Sequence, residues 1–265
     1  MSSAFASDGT KLNYDVHGAG PLHFTLTHSL AMDRSFWHPV IAELGDAATV
    51  LTWDCRGHGA SDKPAGPYTV ERFADDLASV LDAAGIEGTV AAGASMGGTV
   101  TLALALRHPG RVRALGLIDT TASYGPGASS DWEARATKAL SEGLASLTGF
   151  QQTRWFSDHF REAHPEIVAK CVEIFCANDL GSYAETCRML GAANLTPGLA
   201  RIEVPAAILV GEEDYATPVA MGIALQRAIA NSTIEIIAGA RHLTPLECPQ
   251  LIASRLLVLA QGTCS

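Results

Sequence analysis

The chain is short of positive charge, with 18 Lys and Arg against 28 Asp and Glu over 265 residues and a formal net charge of −10. Binding to a phosphate backbone needs the opposite balance, so nucleic acid is excluded as a partner. The opening stretch, MSSAFASDGTKLNYDV, has no basic segment leading into an apolar run. No secretory signal is read there, and a cytoplasmic protein is expected. Cysteines are few and scattered, at Cys55, Cys171, Cys176, Cys187, Cys248 and Cys264. They include no CxxC pair and sit in a chain too large to need disulfide staples, so free thiols are expected. The nine histidines show no HxH or HExxH spacing, so no metal site is indicated and no cofactor is expected. Internal repeats and low-complexity tracts are also missing.

Hydrophobic residues make up 48% of the chain, enough for a large core and one principal domain with an insertion. The stretch that organises the rest is GTVAAGASMGGTVTLALAL, Gly88 to Leu106, uncharged throughout. Its glycines, threonines and serine make it too polar and too averse to helix to cross a membrane. The first half, Thr89 to Ala94, reads as a short buried strand, and Thr99 to Leu106 reads as a helix. Between them lies Gly93-Ala94-Ser95-Met96-Gly97-Gly98. A serine on a tight strand-to-helix turn is held in a strained backbone, and glycines two residues either side remove collisions with the neighbouring strand and helix. The helix start aims N–H groups at the serine oxygen, where negative charge would develop. The rival reading is a glycine-rich turn that only lets a strand and a helix pack closely.

Lys11 to His17 and His23 to Thr27 read as strands of a hairpin joined through Gly18-Ala19-Gly20-Pro21. A helix over Trp37 to Leu44, a strand over Thr49 to Trp53 and a helix over Tyr68 to Ala84 capped by Gly85 follow. Beyond the elbow come a helix to Arg107 and a strand over Val112 to Ile118. Strands alternating with helices predict a doubly wound, mostly parallel α/β sheet. From Ser123 to Leu199 the pattern is helical. Ser130 and Glu133 have capping-box spacing; Trp132, Ala136, Leu140, Leu144 and Leu147 form one apolar stripe; His164-Pro165 opens a helix to Ala177; Tyr183 to Leu190 is another. Strands return at Ala206 to Val210 and Thr233 to Ile237, with a helix over Pro218 to Ile229 between them and a last helix over Leu246 to Leu259. Residues 1–122 and 199–265 are thus expected as the core, with 123–198 as an inserted helical cap.

A serine nucleophile needs a base to take its proton and a carboxylate to orient that base. Asp214 follows one late strand and His242 the next, and loops after parallel strands share the carboxyl edge of the sheet with the elbow. The expected set is Ser95, Asp214 and His242, with Asp119 as rival acid and Glu212 and Glu213 as weaker ones. His58 reads as a loop-fixing residue, and Asp54 and Arg56 as a structural ion-pair or hydrogen-bond set. The oxyanion would be held by the amides of Met96 and Leu30, the second from His28-Ser29-Leu30 after an early strand.

HSLAMDRSFW, DCRGHGASDKPAGPYT, GASMGG, GEEDYATP and GARHLTPLECP together resemble the α/β-hydrolase superfamily over nearly the whole chain. The order Ser, Asp, His is that of the same superfamily. The HSL form, the DxRGHGASD loop and the WEAR and RWF segments are most similar to 3-oxoadipate enol-lactonases. That resemblance implies a serine esterase of aromatic breakdown by the β-ketoadipate route, with a small anionic ester or lactone as its partner. The substrate would be a five-membered enol lactone bearing a carboxylate. An anion approaching a chain of net charge −10 needs local cations. The helical region supplies Arg135, Lys138, Arg154, Arg161 and Arg188, of which Arg135 with Trp132 and Arg154 with Trp155 are the favoured contacts, beside Ser29. A general carboxylesterase or cofactor-free perhydrolase has the same elbow and triad. A haloalkane dehalogenase needs a carboxylate where Ser95 stands, and a receptor without turnover needs no activated serine. Oligomeric state is left open.

Overall fold

A computed structural model describes residues 2–262. Eight strands form one sheet: β1 (Ser2–Phe5), β2 (Lys11–His17), β3 (Leu22–Thr27), β4 (Ala48–Trp53), β5 (Thr89–Ala94), β6 (Val112–Ile118), β7 (Ala206–Gly211) and β8 (Ser232–Ile237). Their order is β1-β2-β4-β3-β5-β6-β7-β8. The β1–β2 and β2–β4 pairs are antiparallel, and every other pair is parallel.

The expected β2–β3 hairpin does not form: β4 lies between the two strands. The linking glycines serve a close crossing instead. A Cβ on Gly18 would lie 2.3 Å from the Ala48 carbonyl oxygen, and one on Gly20 would lie 2.3 Å from the Ala47 carbonyl carbon. Here β4, whose Val50, Leu51 and Trp53 are buried, gains partners on both edges, which a terminal hairpin would deny it. The edge strand β1 carries only four residues and gave no periodic signal.

Helices flank the sheet. α1 (His38–Leu44) packs with a C-terminal helix over Pro249–Gln261, and α2 (Val70–Ala83) packs with α3 (Met96–Arg107). In α2 the Thr69 hydroxyl accepts from the Arg72 amide at 3.2 Å, Phe73, Leu77, Val80 and Leu81 are buried, and Gly85 turns left-handed just past the end. Between β6 and β7 run α4 (Ala128–Glu142), α5 (Thr148–Trp155), α6 (Asp158–Ala163), α7 (Pro165–Cys176) and α8 (Leu180–Ala192). The chain leaves and re-enters at adjacent points, where Ser123 and Asn194 form an isolated bridge. α9 (Val219–Ala228) links β7 to β8. The last expected helix is two, α10 (Thr244–Glu247) and α11 (Pro249–Gln261), because Pro249 lacks the N–H that would continue the ladder.

The Ser130–Glu133 capping box is not made. α4 is capped three residues earlier, on Gly127, the Ser130 hydroxyl donates to the Gly127 carbonyl at 2.7 Å, and Glu133 pairs with Arg188. The apolar stripe is broken as well. Leu140 is 48% exposed, while Ala136 and Ala139 take the buried line, since α4 packs on α8 and small side chains suit that contact. The five described cysteines are free thiols, and Cys264 lies outside the described residues. Among the described residues no helix is long and apolar enough to cross a membrane, and no group of metal-ligating side chains gathers.

The turn from β5 into α3 is the tightest junction. Ser95 has φ 54°, ψ −118°, a conformation held only when its surroundings over-determine it. A Cβ on Gly93 would stand 2.2 Å from the Gly97 carbonyl carbon, and one on Gly97 would stand 2.1 Å from the Thr27 carbonyl oxygen. Near it, under the loops after β3 and β4, His28 and His58 lie ring to ring at 5.1 Å. His28 Nε2 accepts from the Cys55 amide at 3.1 Å, so Nδ1–H faces the Ser29 carbonyl at 2.8 Å. His58 Nδ1 meets the Arg56 carbonyl at 3.0 Å, and its Nε2 is buried without a partner. Burial, followed by the His28 ring, pushes the His58 pKa down to about 3, and burial lowers His28 too.

Two predictions follow from these contacts. Gly97→Ala must push β3 and α3 apart, and a loss of at least about 2 kcal/mol in urea unfolding is expected; wild-type stability would show that the junction has slack. His58 takes up a proton near pH 6.5 when unfolded but only near 3 when folded. Its contribution is therefore present above pH 6.5 and is lost as pH falls toward 3, by up to about 1.4 kcal/mol per pH unit. His58→Gln should flatten the fall in unfolding free energy between pH 6.5 and 4, and identical slopes in the two proteins would contradict this.

Candidate active site

The carboxyl ends of β5, β7 and β8 bring three side chains together. His242 Nε2 lies 2.9 Å from Ser95 Oγ, and its Nδ1 lies 2.8 Å from Asp214 Oδ2. With Nδ1–H donating to the carboxylate, Nε2 is left to accept from the serine hydroxyl. Asp214 Oδ1 also accepts from the amides of Ala216 and Thr217 at 2.7 and 3.0 Å, and Oδ2 accepts from the Thr217 hydroxyl at 2.8 Å. Burial alone would raise the Asp214 pKa, but the imidazole and these donors outweigh it and hold the carboxyl below its ordinary range. All three side chains are buried.

The rival acids have other partners. Asp119, left-handed at φ 45° after β6, accepts from the Gly211 amide at 3.0 Å and from the Thr244 amide and hydroxyl at 3.1 and 2.6 Å. It thus ties the end of β7 to the start of α10, the two elements flanking the Asp214 and His242 loops. Burial and the neighbouring Asp214 raise its pKa well above the ordinary value. Glu212 accepts from the Gly239 amide at 3.0 Å, and Glu213 pairs with Arg241 at 2.8 Å. Asp54 and Arg56 sit in separate networks. Asp54 takes the Arg34 guanidinium and the Ala60 amide, while Arg56 takes both oxygens of Asp76 at 2.6 Å and Asp8 at 3.0 Å.

A small cavity of about 20 Å³ lies over Ser95 and His242, with Ser29, Leu30, Trp132, Arg135, Arg154 and Trp155 in its wall. Tyr124 and Gln151 share that wall and were not singled out in the sequence. Burial pushes the Tyr124 pKa up to about 12. Gln151 is buried and its Oε1 has no partner. Neither belongs to a motif; the one available signal was the place of Gln151 within α5, three residues before Arg154. A second hollow, about 210 Å³, shares Tyr124, Trp132, Arg135 and Arg154 with the first and is also lined by Asp131.

The Arg135 guanidinium lies 5.1 Å over the Trp132 ring, and its Nε donates to the Tyr183 hydroxyl at 2.7 Å. Arg154 lies 5.8 Å over Phe150; burial and the nearby Arg135 charge lower its pKa. Among the described residues neither arginine forms an ion pair, whereas Arg241 pairs with Glu213 and Asp158. Lys138, Arg161 and Arg188 pair with Glu142, Asp158 and Glu133 respectively and do not line the cavity. The wall is bound to the His242 loop through its backbone, since the Trp155 carbonyl accepts from the amides of His242 at 3.1 Å and Leu243 at 2.9 Å.

The described α/β-hydrolase fold model matches residues 23–249. 3-Oxoadipate enol-lactonase 2 of Acinetobacter baylyi is 35% identical over 240 residues, 90% of this chain and 89% of that protein. Among solved structures, the enol-lactonase from Burkholderia xenovorans LB400 superposes with a TM-score of 0.93 at 33% identity, over 98% of this chain and 100% of that one. A malate-bound thermophilic esterase from Thermogutta terrifontis also reaches 0.93, at 27% identity, over 100% of this chain and 99% of that one. Sheet order, elbow, cavity and these likenesses agree, and the chain belongs to the α/β-hydrolase family, among relatives that include 3-oxoadipate enol-lactonases.

Proposed function

We propose that this protein is a serine hydrolase that opens a carboxylated enol lactone through an acyl-enzyme, acting in the cytoplasm in the breakdown of aromatic compounds and needing no cofactor. The observation that carries the reading is the unbroken hydrogen-bonded line from Asp214 through His242 to Ser95, opening on a cavity whose two arginines form no ion pair among the described residues. In this reading residues 123–198 are a cap that supplies the substrate-facing wall.

The cycle begins when His242 Nε2 takes the Ser95 proton as Oγ attacks the lactone carbonyl. The amides of Leu30 and Met96 hold the oxyanion, each worth about 10²- to 10³-fold in rate. The ring C–O bond then breaks. The leaving enolate, still tethered to the acyl group, takes the proton from the His242 imidazolium, its transient enol becomes a ketone, and the acyl group stays on Ser95. His242 next deprotonates a water that attacks the acyl ester, and the acid is released with Ser95 restored. Asp214 keeps the imidazole in the tautomer both steps need and stabilises the imidazolium. The net charge of −10 repels an anionic substrate, so Arg135, stacked on Trp132, and Arg154, beside Trp155, provide the local attraction. Ser29 contacts the substrate next to the oxyanion donors.

Removing the nucleophile in Ser95→Ala should lower kcat by about 10⁶-fold with thermal unfolding unchanged; hydrolysis of an ester panel at wild-type rates would end the serine mechanism. Asp214→Asn should cost more activity than Asp119→Asn, and the reverse order in steady-state assays would transfer the acid role to Asp119. Arg135→Ala should raise KM for a freshly generated carboxylated enol lactone by about tenfold, the scale of one charge-assisted hydrogen bond, and far less for a neutral phenyl ester. Equal rises in KM would argue against an anion contact there.

A further inference from the structure

The residue before the base, Arg241, takes no part in the cycle above, yet it is among the most heavily bonded side chains near the site. Its Nη1 donates to the carbonyls of Thr153 at 2.8 Å and Phe156 at 2.9 Å and meets Asp158 at 3.1 Å; its Nη2 donates to Glu213 at 2.8 Å. The guanidinium also lies 5.9 Å over the Tyr215 ring, and the side chain is only 13% exposed. One planar group thus joins three segments: the end of α5 and its junction with α6, the loop carrying Asp214, and its own loop carrying His242.

Neighbouring bonds point the same way. Glu247 Oε1 accepts from the Arg241 amide at 2.8 Å, while its Oε2 accepts from the Ser157 amide and hydroxyl at 3.2 and 2.7 Å. With the two bonds to the Trp155 carbonyl, residues 153–158 are held to the base loop at every turn of the chain. The cavity-facing Gln151, Arg154 and Trp155 all sit on α5, whose last turn these bonds hold. Arg135 and Trp132 sit on α4, which has no such tie.

We propose that Arg241 is a positioning residue for substrate selection: by locking the end of α5 to the loops of Asp214 and His242, it sets where the Arg154–Trp155 wall stands relative to the imidazole and hence how tightly the pocket holds an anionic ligand. The fork of a guanidinium suits the task, because it bonds two carbonyls and a carboxylate in one plane. A lysine ammonium offers one nitrogen for the same set. The inference rests on the anionic-ligand reading above.

The test uses the full chain. Affinity for adipate, a six-carbon dicarboxylate, is read by tryptophan fluorescence, since Trp132 and Trp155 line the cavity. kcat/KM on 4-nitrophenyl acetate is the neutral comparison. In Arg241→Met the Kd for adipate should rise by roughly tenfold or more, the cost of a wall displaced by a fraction of an ångström, and by several times more than kcat/KM for the neutral ester falls. Arg241→Lys should lie between the two proteins, and it carries the test if the Met variant does not fold. Wild-type protein that binds no adipate would overturn the anionic reading of the pocket and this inference with it. Adipate binding unchanged in the Arg241 variants, or lost in step with neutral-ester turnover, would overturn this inference alone.

Discussion

One imidazole has to meet two oxygens at once, 2.9 Å away on one side and 2.8 Å on the other, and much of the architecture can be understood as what that demands. The oxygens belong to residues 95 and 214 and the ring to residue 242, so no local structure can bring them together. A parallel sheet does so because its strands end on one edge in the same sense, and β5, β7 and β8 each release a loop there. The tolerance is a few tenths of an ångström. That is why the elbow is packed so closely that a single methyl at Gly93 or Gly97 would have no room.

Two charged networks near this edge are held by fixed protein partners. Asp119 binds both the end of β7 and the start of α10, and Arg56 takes Asp76 and Asp8. A buried carboxylate or guanidinium without such partners would cost several kcal/mol, so each network tolerates essentially one arrangement of the loops it joins. Asp119 and Asp214 are chemically alike and close in space, yet their environments drive them apart: burial and its neighbour push the first up, while the imidazole and Thr217 pull the second down. A difference in partners gives one carboxyl a structural tie and leaves the other charged behind the ring.

The cavity follows the opposite rule. Arg135 and Arg154 are desolvated, and Arg154 lies within reach of the Arg135 charge; among the described residues neither forms an ion pair. Stacking on Trp132 and Phe150 offsets part of that cost. An anionic ligand would offset more, because in a partly dehydrated site each charge interaction is stronger than in water.

What could be read from the sequence alone was whatever depends on short spacing. GASMGG carried the elbow, because glycine at 93 and 97 answers a local steric need. Helical periodicity placed α2 and α7 within a residue or two, and strand ends followed by Asp214 and His242 identified the loops that meet at Ser95. Where that reading failed, the deciding contact was distant: β4 slides between β2 and β3 because its own buried edges need partners, and Ser130 loses the α4 cap to Gly127. Tyr124 and Gln151 entered the cavity wall unannounced, since nothing local marks a residue whose importance is the direction it faces in the folded chain. Which arginines remain without a counter-charge was likewise settled only by tertiary structure, for ion pairing depends on what folding brings within about 4 Å, and the order of residues along a chain carries no such distance.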